Sequence, residues 1–543
     1  MRRNSIPSKI LGFYLFFALY VLAICGGYFV ENKHATINKL AGDNWSIVPL
    51  ALKIADSSLF AKDQFASNKA AAKLYIPAFV NSVLYLQRIT GPDIVQAYNL
   101  FNSLVVAVHI FLWFLVFLKL THNHWLAFLF TMLMRGMLWP YGEIWGAGNL
   151  EFFLPRTVFA AVLPFFFLML IYAYTKGKNL VPFAFLLLGL AGNFHPLSGL
   201  GVGVAALLAL FFAGLASKQP FKKTIMSTII SGLMFGLGLL PFIWLYLTKD
   251  LSQAAAPYDK VLFSSLISER ILKAFLGPWS IYKTYFKPLW LFMITGSYLL
   301  SFLMQKSIKI PKQVLHFLWL LGVFVLSTPM LFFTVENIAH AIGFKFLNFS
   351  YELSRAIKYI IVPCFLLYCI GIEAIIQKFP KYRFTIPAVF SASFIVLCVL
   401  SKWPLQNFPG LKSDFFRAQI PSAITQTTYL PYKYTDLDSV LVFVKHNTPD
   451  TATFAGPPQL RGGSLRSVPF DFKGASVLLE QNKPAYIKWA LLNKKFEKIK
   501  TDTGYISFYK KLPVDYLVTD RVFSNTDSLM YQKGVWRVYK LIY

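Results

Sequence analysis

Charge is scarce in this chain. Only 14% of its 543 residues are Asp, Glu, Lys or Arg, against roughly 25% in a soluble globular protein. Hydrophobic residues make up 56%, and mean hydropathy is +0.54. Acid is the scarcer sign, with 24 Asp and Glu facing 53 Lys and Arg. There are four cysteines, Cys25, Cys364, Cys369 and Cys398. Each lies inside an apolar run and none pairs with His at metal-ligand spacing, so they read as small buried hydrophobes. The chain beyond about residue 405 has none, and its fold there needs no disulfide. Also missing are a Walker motif, a glycine fingerprint between strand and helix, a His-Glu-x-x-His and a Gly-x-Ser-x-Gly. ATP hydrolysis, nicotinamide chemistry and serine hydrolysis therefore find no support. No internal repeat or low-complexity tract is present.

Long apolar runs dominate instead, and they predict a polytopic α-helical membrane protein of about eleven transmembrane helices. The expected spans are Ile10–Val30, Val95–Leu118, Trp125–Pro140, Arg156–Tyr174, Leu180–Asn193, Leu197–Leu215, Thr224–Leu247, Leu289–Met304, Val314–Phe333, Ile357–Ile376 and Phe384–Leu400. Met1-Arg2-Arg3 and Lys9 precede the first run, which is long enough to span and lacks a small-x-small cleavage site beyond it. It is expected to be an uncleaved signal anchor.

The net charge of +29 raises nucleic acid as a partner, but many Lys and Arg residues cap hydrophobic stretches and are not interleaved with aromatics on a polar surface. That pattern argues against nucleic acid and for the positive-inside rule. Short basic turns alternate with the spans at Lys119–His124, Lys176–Lys178, Lys218–Lys223, Lys306–Lys312 and Lys378–Arg383. Glu31, Asp43, Asp56, Asp63, Asp93, Glu143, Glu151, Asp250, Asp259, Glu269, Glu336 and Glu352 all fall on the other side, and Glu373 alone breaks the segregation. An odd number of spans with a cytoplasmic N-terminus predicts an extracytoplasmic C-terminus. Residues 1–404 then form the membrane domain, with a first outer loop over 31–92, and residues 405–543 form an extracytoplasmic α/β domain. Trp45–Leu59, Ala70–Ile89 and Tyr258–Phe275 read as amphipathic stretches suited to lying along an interface. In the C-terminal domain, strands are expected at Ser439–Val444, Thr451–Ala455, Tyr516–Thr519 and Gly534–Ile542, and helices near Ala475–Gln481 and Tyr486–Leu492.

Ionisable residues at a membrane boundary are functional candidates. Asp43 follows Gly42, which allows a tight turn, and can either cap the next helix or serve as a base. Asp56 and Asp63 read as turn and cap residues. Glu143, Glu151 and Arg156 share one short outer loop, where Arg156 can bind a phosphate bidentately or simply anchor at the interface. His195-Pro196 stands between two apolar runs, as a phosphate or hydroxyl ligand or as a turn histidine. Arg355, three residues after Glu352, heads the tenth span, either snorkelling or facing an anionic headgroup. Metal ligation by the scattered carboxylates has only weak support.

With these residues in view, the chain resembles the GT-C superfamily of membrane glycosyltransferases that use polyprenyl-phosphate-linked sugars, in its bacterial members. The likeness covers nearly the whole chain. It rests on Gly42-Asp43-Asn44-Trp45 after the first span, on Glu143 and Glu151 with Leu154-Pro155-Arg156, on His195-Pro196 and on Glu352 with Arg355. An α/β domain opened by Thr448-Pro449-Asp450 and Pro457-Pro458 adds to it. An Asp-x-Asp or paired Asp-Asp at Asp43 is lacking.

The resemblance implies an inverting hexosyl or pentosyl transfer from a polyprenyl-phosphate donor at a bacterial plasma (inner) membrane. Asp43 and Glu151 would be catalytic. Arg156, His195 and Arg355 would hold the donor phosphate, and Glu143, Asp93 and Glu352 would take acceptor-side or secondary roles. A divalent cation (Mg or Mn) is an open cofactor. The acceptor would be a glycan, lipid or protein. The competing expectations are a transporter or flippase of a lipid-linked or amphipathic substrate, and a non-catalytic envelope assembly protein.

Overall fold

The computed structural model describes residues 8–40, 42–67, 77–137, 153–176, 180–248, 257–272, 277–285, 288–344, 349–400, 434–471, 473–523 and 528–542. Glu143, Glu151 and the expected domain boundary near 404 lie outside them.

A helix stands at each of the eleven apolar segments. Six stretches are long and apolar enough to cross a membrane: Ile94–Thr121, Pro155–Lys176, Pro196–Ala216, Phe221–Leu247, Lys312–Ala341 and Ser350–Lys378. Shorter apolar helices flank them, including Leu11–Gly27, His124–Met134, Val181–Gly192 and Leu291–Leu303. The protein is therefore a membrane-embedded helical one. The face of Phe221–Leu247 turned away from the bundle carries exposed Ile229, Leu233, Leu237 and Leu240, a contiguous apolar stripe that suits hydrocarbon and not water.

Close helix contact comes from missing side chains. A Cβ on Gly189 would lie 2.2 Å from the Phe235 carbonyl oxygen, and one on Gly238 would lie 2.3 Å from that of Leu186. Only glycine lets these two backbones meet, as small residues do between helices in lipid. Pro241 removes a donor from its helix. Beside it, the Asn193 amide donates to the Gly238 carbonyl (2.9 Å) and accepts from Phe242 N–H (3.0 Å). One side chain thereby bridges the two backbone groups at the break.

Two of the basic turns, Lys119–His124 and Lys306–Lys312, meet beside the helix Ile361–Lys378. Glu373, the acid that broke the segregation, lies beside them. It accepts from Gln377 (2.9 Å) and feels His122 and Lys309.

Toward the C-terminus the chain forms a five-stranded mixed sheet in the order β2-β1-β3-β5-β4. Its strands are β1 (Thr453–Ala455), β2 (Ser467–Phe470), β3 (Tyr516–Thr519), β4 (Leu529–Lys533) and β5 (Trp536–Lys540). β1 pairs in parallel with β2 and β3, and β5 pairs antiparallel with β3 and β4. Helices Asp436–Asn447, Gln459–Ser464, Ala475–Gln481, Lys483–Glu497 and Asp502–Lys510 pack around it. The strands expected at Thr451–Ala455, Tyr516–Thr519 and Gly534–Ile542 are present, and so are both helices.

Ser439–Val444 is a correction: it is helical. Its β-branched run looked like a strand, but Thr435 and Asp438 form a capping box just before it, and Val440, Leu441 and Val444 bury one helical face.

The segment after the first apolar helix packs against the C-terminal domain. Asn44–Ala55 turns one face inward, with Ile47, Val48, Leu50 and Ala51 fully buried. Ile47, Val48 and Ala51 share one core with Phe79 and Val80 and with Leu441, Leu460 and Val468 of the C-terminal domain, and Leu50 packs in a second one with Phe60, Ala66 and Val477. Polar bonds follow the same seam. Asn38 donates to Asp438 (2.5 Å), and Gln64 to the Pro469 carbonyl (2.6 Å).

The seam is pinned by Arg461. Its guanidinium lies between Asp63 and Asp471, all three buried. Burial alone would depress the Arg461 pKa, but the two carboxylates overcome it and raise the value. Asp63, expected as a turn residue, does hold a turn by accepting from Phe65 and Ala66 N–H (2.9 and 3.1 Å). Its other oxygen takes Arg461 and Val468 N–H (2.8 Å).

Removing one partner from such a group leaves buried charge uncompensated, a cost of about 3–5 kcal/mol. Arg461→Met is expected to lower the unfolding midpoint of the detergent-solubilised protein and to open the 31–67 loop to protease. An unchanged midpoint and cleavage pattern would show the triad to be dispensable.

Candidate active site

Four segments distant in sequence meet at the end of the bundle that carries the sheet. The first is the turn before Asn44–Ala55. Gly42 adopts φ +59°, a left-handed conformation that glycine enters without strain. Asp43 then occupies the cap position, yet its side chain makes no cap hydrogen bond. The carboxylate instead stands between two cations, 3.8 Å from Arg156 Nη1 and 3.7 Å from Lys473 Nζ. Its side chain is 44% exposed. The capping alternative for Asp43 is thus not what its side chain does.

The second segment is the start of Pro155–Val162. Proline at the first helical position, with Leu154 N–H bonded to the Thr157 hydroxyl (3.3 Å), fixes where this helix begins. Asn44 donates to the Phe153 carbonyl (2.7 Å), tying this start to the Asp43 turn. Arg156 is mostly covered, with 16% of its side chain exposed.

His195 heads the third segment, the helix Pro196–Ala216. Its Nδ1 accepts from Ser198 N–H (3.2 Å) and meets the Ser198 hydroxyl at 2.8 Å. Tyr359 donates its hydroxyl proton to Ser198 Oγ (3.0 Å). Because a backbone N–H can only donate, Nδ1 must be the acceptor, and the ring proton sits on Nε2. His195 is therefore both a helix cap and a fixed N–H donor. Burial, then the charges of Lys358, Arg156 and Arg355, hold its pKa well below the usual histidine value.

The fourth segment is Ser350–Ile360. Glu336, buried on Lys312–Ala341, accepts from Ser350 N–H (2.8 Å) and the Ser350 hydroxyl (3.0 Å), which anchors the short helix Ser350–Leu353. From Ser354 to Ile360 the chain winds as a 3₁₀ helix. At three residues per turn, side chains three apart eclipse, so Arg355 and Lys358 fall into one column. Pro363, which cannot donate to the turn before it, follows directly. Arg355 contacts Glu352 at 2.6 Å. Lys358 is 2% exposed and lies in the field of Arg156, Arg355 and Glu352. A Cβ on Gly201 would fall 2.5 Å from Ala356 Cβ, so that glycine admits the 3₁₀ segment against the His195 helix.

The structure thus brings together Asp43, Arg156, His195, Arg355 and Glu352. Asp93 is different. It is exposed and caps Ile94–Thr121 by accepting from Val95 N–H (2.9 Å), and it shares no described contact with the cluster. Sequence reasoning passed over Lys358 and Lys473. The Arg355-x-x-Lys358 spacing was visible, but only 3₁₀ winding makes it a column. Nothing in sequence links Lys473 to Asp43.

Among the described residues no three His, Cys, Asp or Glu side chains converge as metal ligands, and Asp43 is already flanked by cations. The residues described do not fit a divalent cation. Among the described residues the cluster gathers Arg156, Arg355, Lys358, Lys473 and one N–H donor beside Asp43 and Glu352, a set of donors that suits an anion with several acceptor oxygens. No protein-family model matches the chain, and no curated protein matches it in sequence.

The lowered His195 pKa has a sign that can be checked. The unfolded chain takes up the proton first, as pH drops below about 6.5. Stability is lost through that window down to the folded value. His195→Asn keeps a capping side chain and removes the titration. Its melting midpoint is expected to fall less than that of the wild type between pH 7 and pH 5, and parallel curves would place His195 outside this linkage.

Proposed function

We propose that the protein is an inverting glycosyltransferase of the GT-C type, moving a sugar from a polyprenyl-phosphate donor to an extracytoplasmic acceptor. The observation that carries this reading is the meeting of an accessible carboxylate, Asp43, with Arg156, and of Arg156 with Arg355, Lys358 and His195 around one point. In this reading the chain crosses the membrane about eleven times, with a cytoplasmic N-terminus and an extracytoplasmic sheet domain. The cluster then lies at headgroup depth, where a lipid-borne phosphate arrives with its tail among the helices.

The chemistry is a single displacement. The acceptor hydroxyl attacks the anomeric carbon from the face opposite the phosphate. Its proton passes to Asp43 as the new carbon–oxygen bond forms. The bond from the anomeric carbon to the phosphate oxygen breaks, and its electron pair leaves with the phosphate. Charge grows on that group, and Arg156, Arg355 and Lys358 stabilise it without having to reorganise. Nε2–H of His195 adds a neutral hydrogen bond, and Glu352 holds Arg355 in its column. Among the described residues, the cations Arg156, Arg355 and Lys358, gathered on the membrane side of Asp43, support this reading over a flippase that must release its anion on the other side.

Asp43→Asn is expected to slow sugar transfer by about 10²–10⁴-fold in a protein that still inserts and melts normally. Arg355→Met should cost about 10²–10³-fold. Both are read as consumption of synthetic farnesyl-phosphate-linked hexoses and pentoses by the purified protein, and full turnover by Asp43→Asn would remove it from the mechanism. Orientation has its own check: alkaline phosphatase fused after residue 543 should be active, and a dark fusion with cytoplasm-dependent fluorescent protein should accompany it.

A further inference from the structure

Asp43 has two sides, and the C-terminal domain supplies one of them. Oδ2 faces Arg156 from the bundle, and Oδ1 faces Lys473 from the sheet domain. Neither separation is a hydrogen bond, since N–H···O contacts fall at 2.7–3.2 Å. The carboxylate is bracketed and not closed off, and a hydroxyl can reach it between the two cations.

The main chain around Lys473 is held from both domains. Asp471 accepts from the N–H groups of Lys473 and Gly474 (the latter 2.8 Å), which makes a tight turn. The Asp471 carbonyl takes Trp489 Nε1–H (2.7 Å), and its carboxylate takes Arg461. From the segment after the first apolar helix, Ser46 donates to the Lys473 carbonyl (3.2 Å). Phe65 presses on the turn so closely that a Cβ on Gly474 would lie 2.3 Å from its ring. The base of the Lys473 side chain is therefore fixed, while the side chain itself stays 30% exposed.

We infer that Lys473 reads the acceptor, and that the acceptor carries an anionic group, a phosphate or a carboxylate, close to the hydroxyl it offers to Asp43. This rests on the transferase reading above. Charge placement supports it. The donor phosphate is served by Arg156, Arg355 and Lys358 on the membrane side. Lys473 comes from another domain and stands across Asp43 from Arg156. A neutral acceptor takes only an ordinary hydrogen bond from an ammonium there, without the added attraction between opposite charges. An acidic acceptor finds a compact cation with rotatable donors that offsets its repulsion from Asp43 and sets which hydroxyl faces the base. Lys473 is thus a specificity-determining residue contributed by the sheet domain, and the site is incomplete without that domain.

The test uses the full chain in detergent with farnesyl-phosphate-linked sugars as donors. Acceptors are offered in pairs: a methyl glycoside against the same sugar as its 6-phosphate, and against its uronic acid. The wild type should prefer the acidic member by about tenfold or more, what one charge-assisted hydrogen bond is worth. Lys473→Met should erase the preference, and Lys473→Arg should keep most of it. Which acidic sugar is favoured distinguishes phosphate from carboxylate. Equal rates for neutral and acidic acceptors would overturn the inference and leave the transferase standing. So would a Lys473→Met loss of farnesyl phosphate affinity as large as that of Arg355→Met, which would assign Lys473 to the donor. A wild type that consumes no donor with any acceptor removes the transferase reading and this inference together.

Discussion

Arg461 is buried between Asp63 and Asp471, and the geometry of the candidate site follows from that arrangement. A guanidinium in the interior must keep its carboxylates, since losing one strands a charge in a low-dielectric surrounding. Asp63 belongs to the segment after the first apolar helix and Asp471 to the sheet domain. Their common partner therefore fixes how two segments some four hundred residues apart face one another. The same turn at Asp471 carries Lys473, and the same segment as Asp63 carries Asp43. An apolar core alone, such as Val48 against Leu460, would hold these surfaces together but would tolerate sliding. The directional fork of an arginine does not.

Within the bundle the controlling constraint is the closeness of backbones. Gly189 and Gly238 let two helices touch, and Asn193 mends the ladder where Pro241 interrupts it. Gly201 gives room for the 3₁₀ segment. These contacts contain no site residue, yet they set where His195 and the Arg355 column meet. Gathering Arg156, Arg355 and Lys358 costs repulsion and desolvation. Glu352, Asp43 and the neutral tautomer of His195 reduce that cost, and an incoming phosphate would reduce it further. A site that is more comfortable occupied than empty is well suited to holding an anion.

Much of this was legible beforehand for physical reasons. Apolar length is an unambiguous signal because hydrocarbon forbids unpaired backbone, so helices stand at every expected segment. Asp43, Arg156, His195 and Arg355 could be picked out because ionisable groups beside apolar runs are costly and need a purpose. Ser439–Val444 failed because β-branched composition is a weaker determinant than a capping box with a buried helical face. Trp45–Leu59 was amphipathic as expected, and which domain its buried face meets could not be read from its own sequence. Asp93 looked like its fellow acids and is a helix cap, since local sequence cannot tell a carboxylate bonded to its own backbone from one turned outward.

By itself the sequence determined a membrane-embedded helical chain with short basic turns between its apolar segments, because hydropathy and charge act locally and add along the chain. Only the tertiary structure decided that Asp43 stands between Arg156 and Lys473, that Lys358 joins Arg355 in one column, and that Asp63 is an ion-pair partner instead of a simple turn residue. Those facts depend on helix crossings, on 3₁₀ winding and on one buried guanidinium. Each is a matter of distance through space, to which order along the chain is blind.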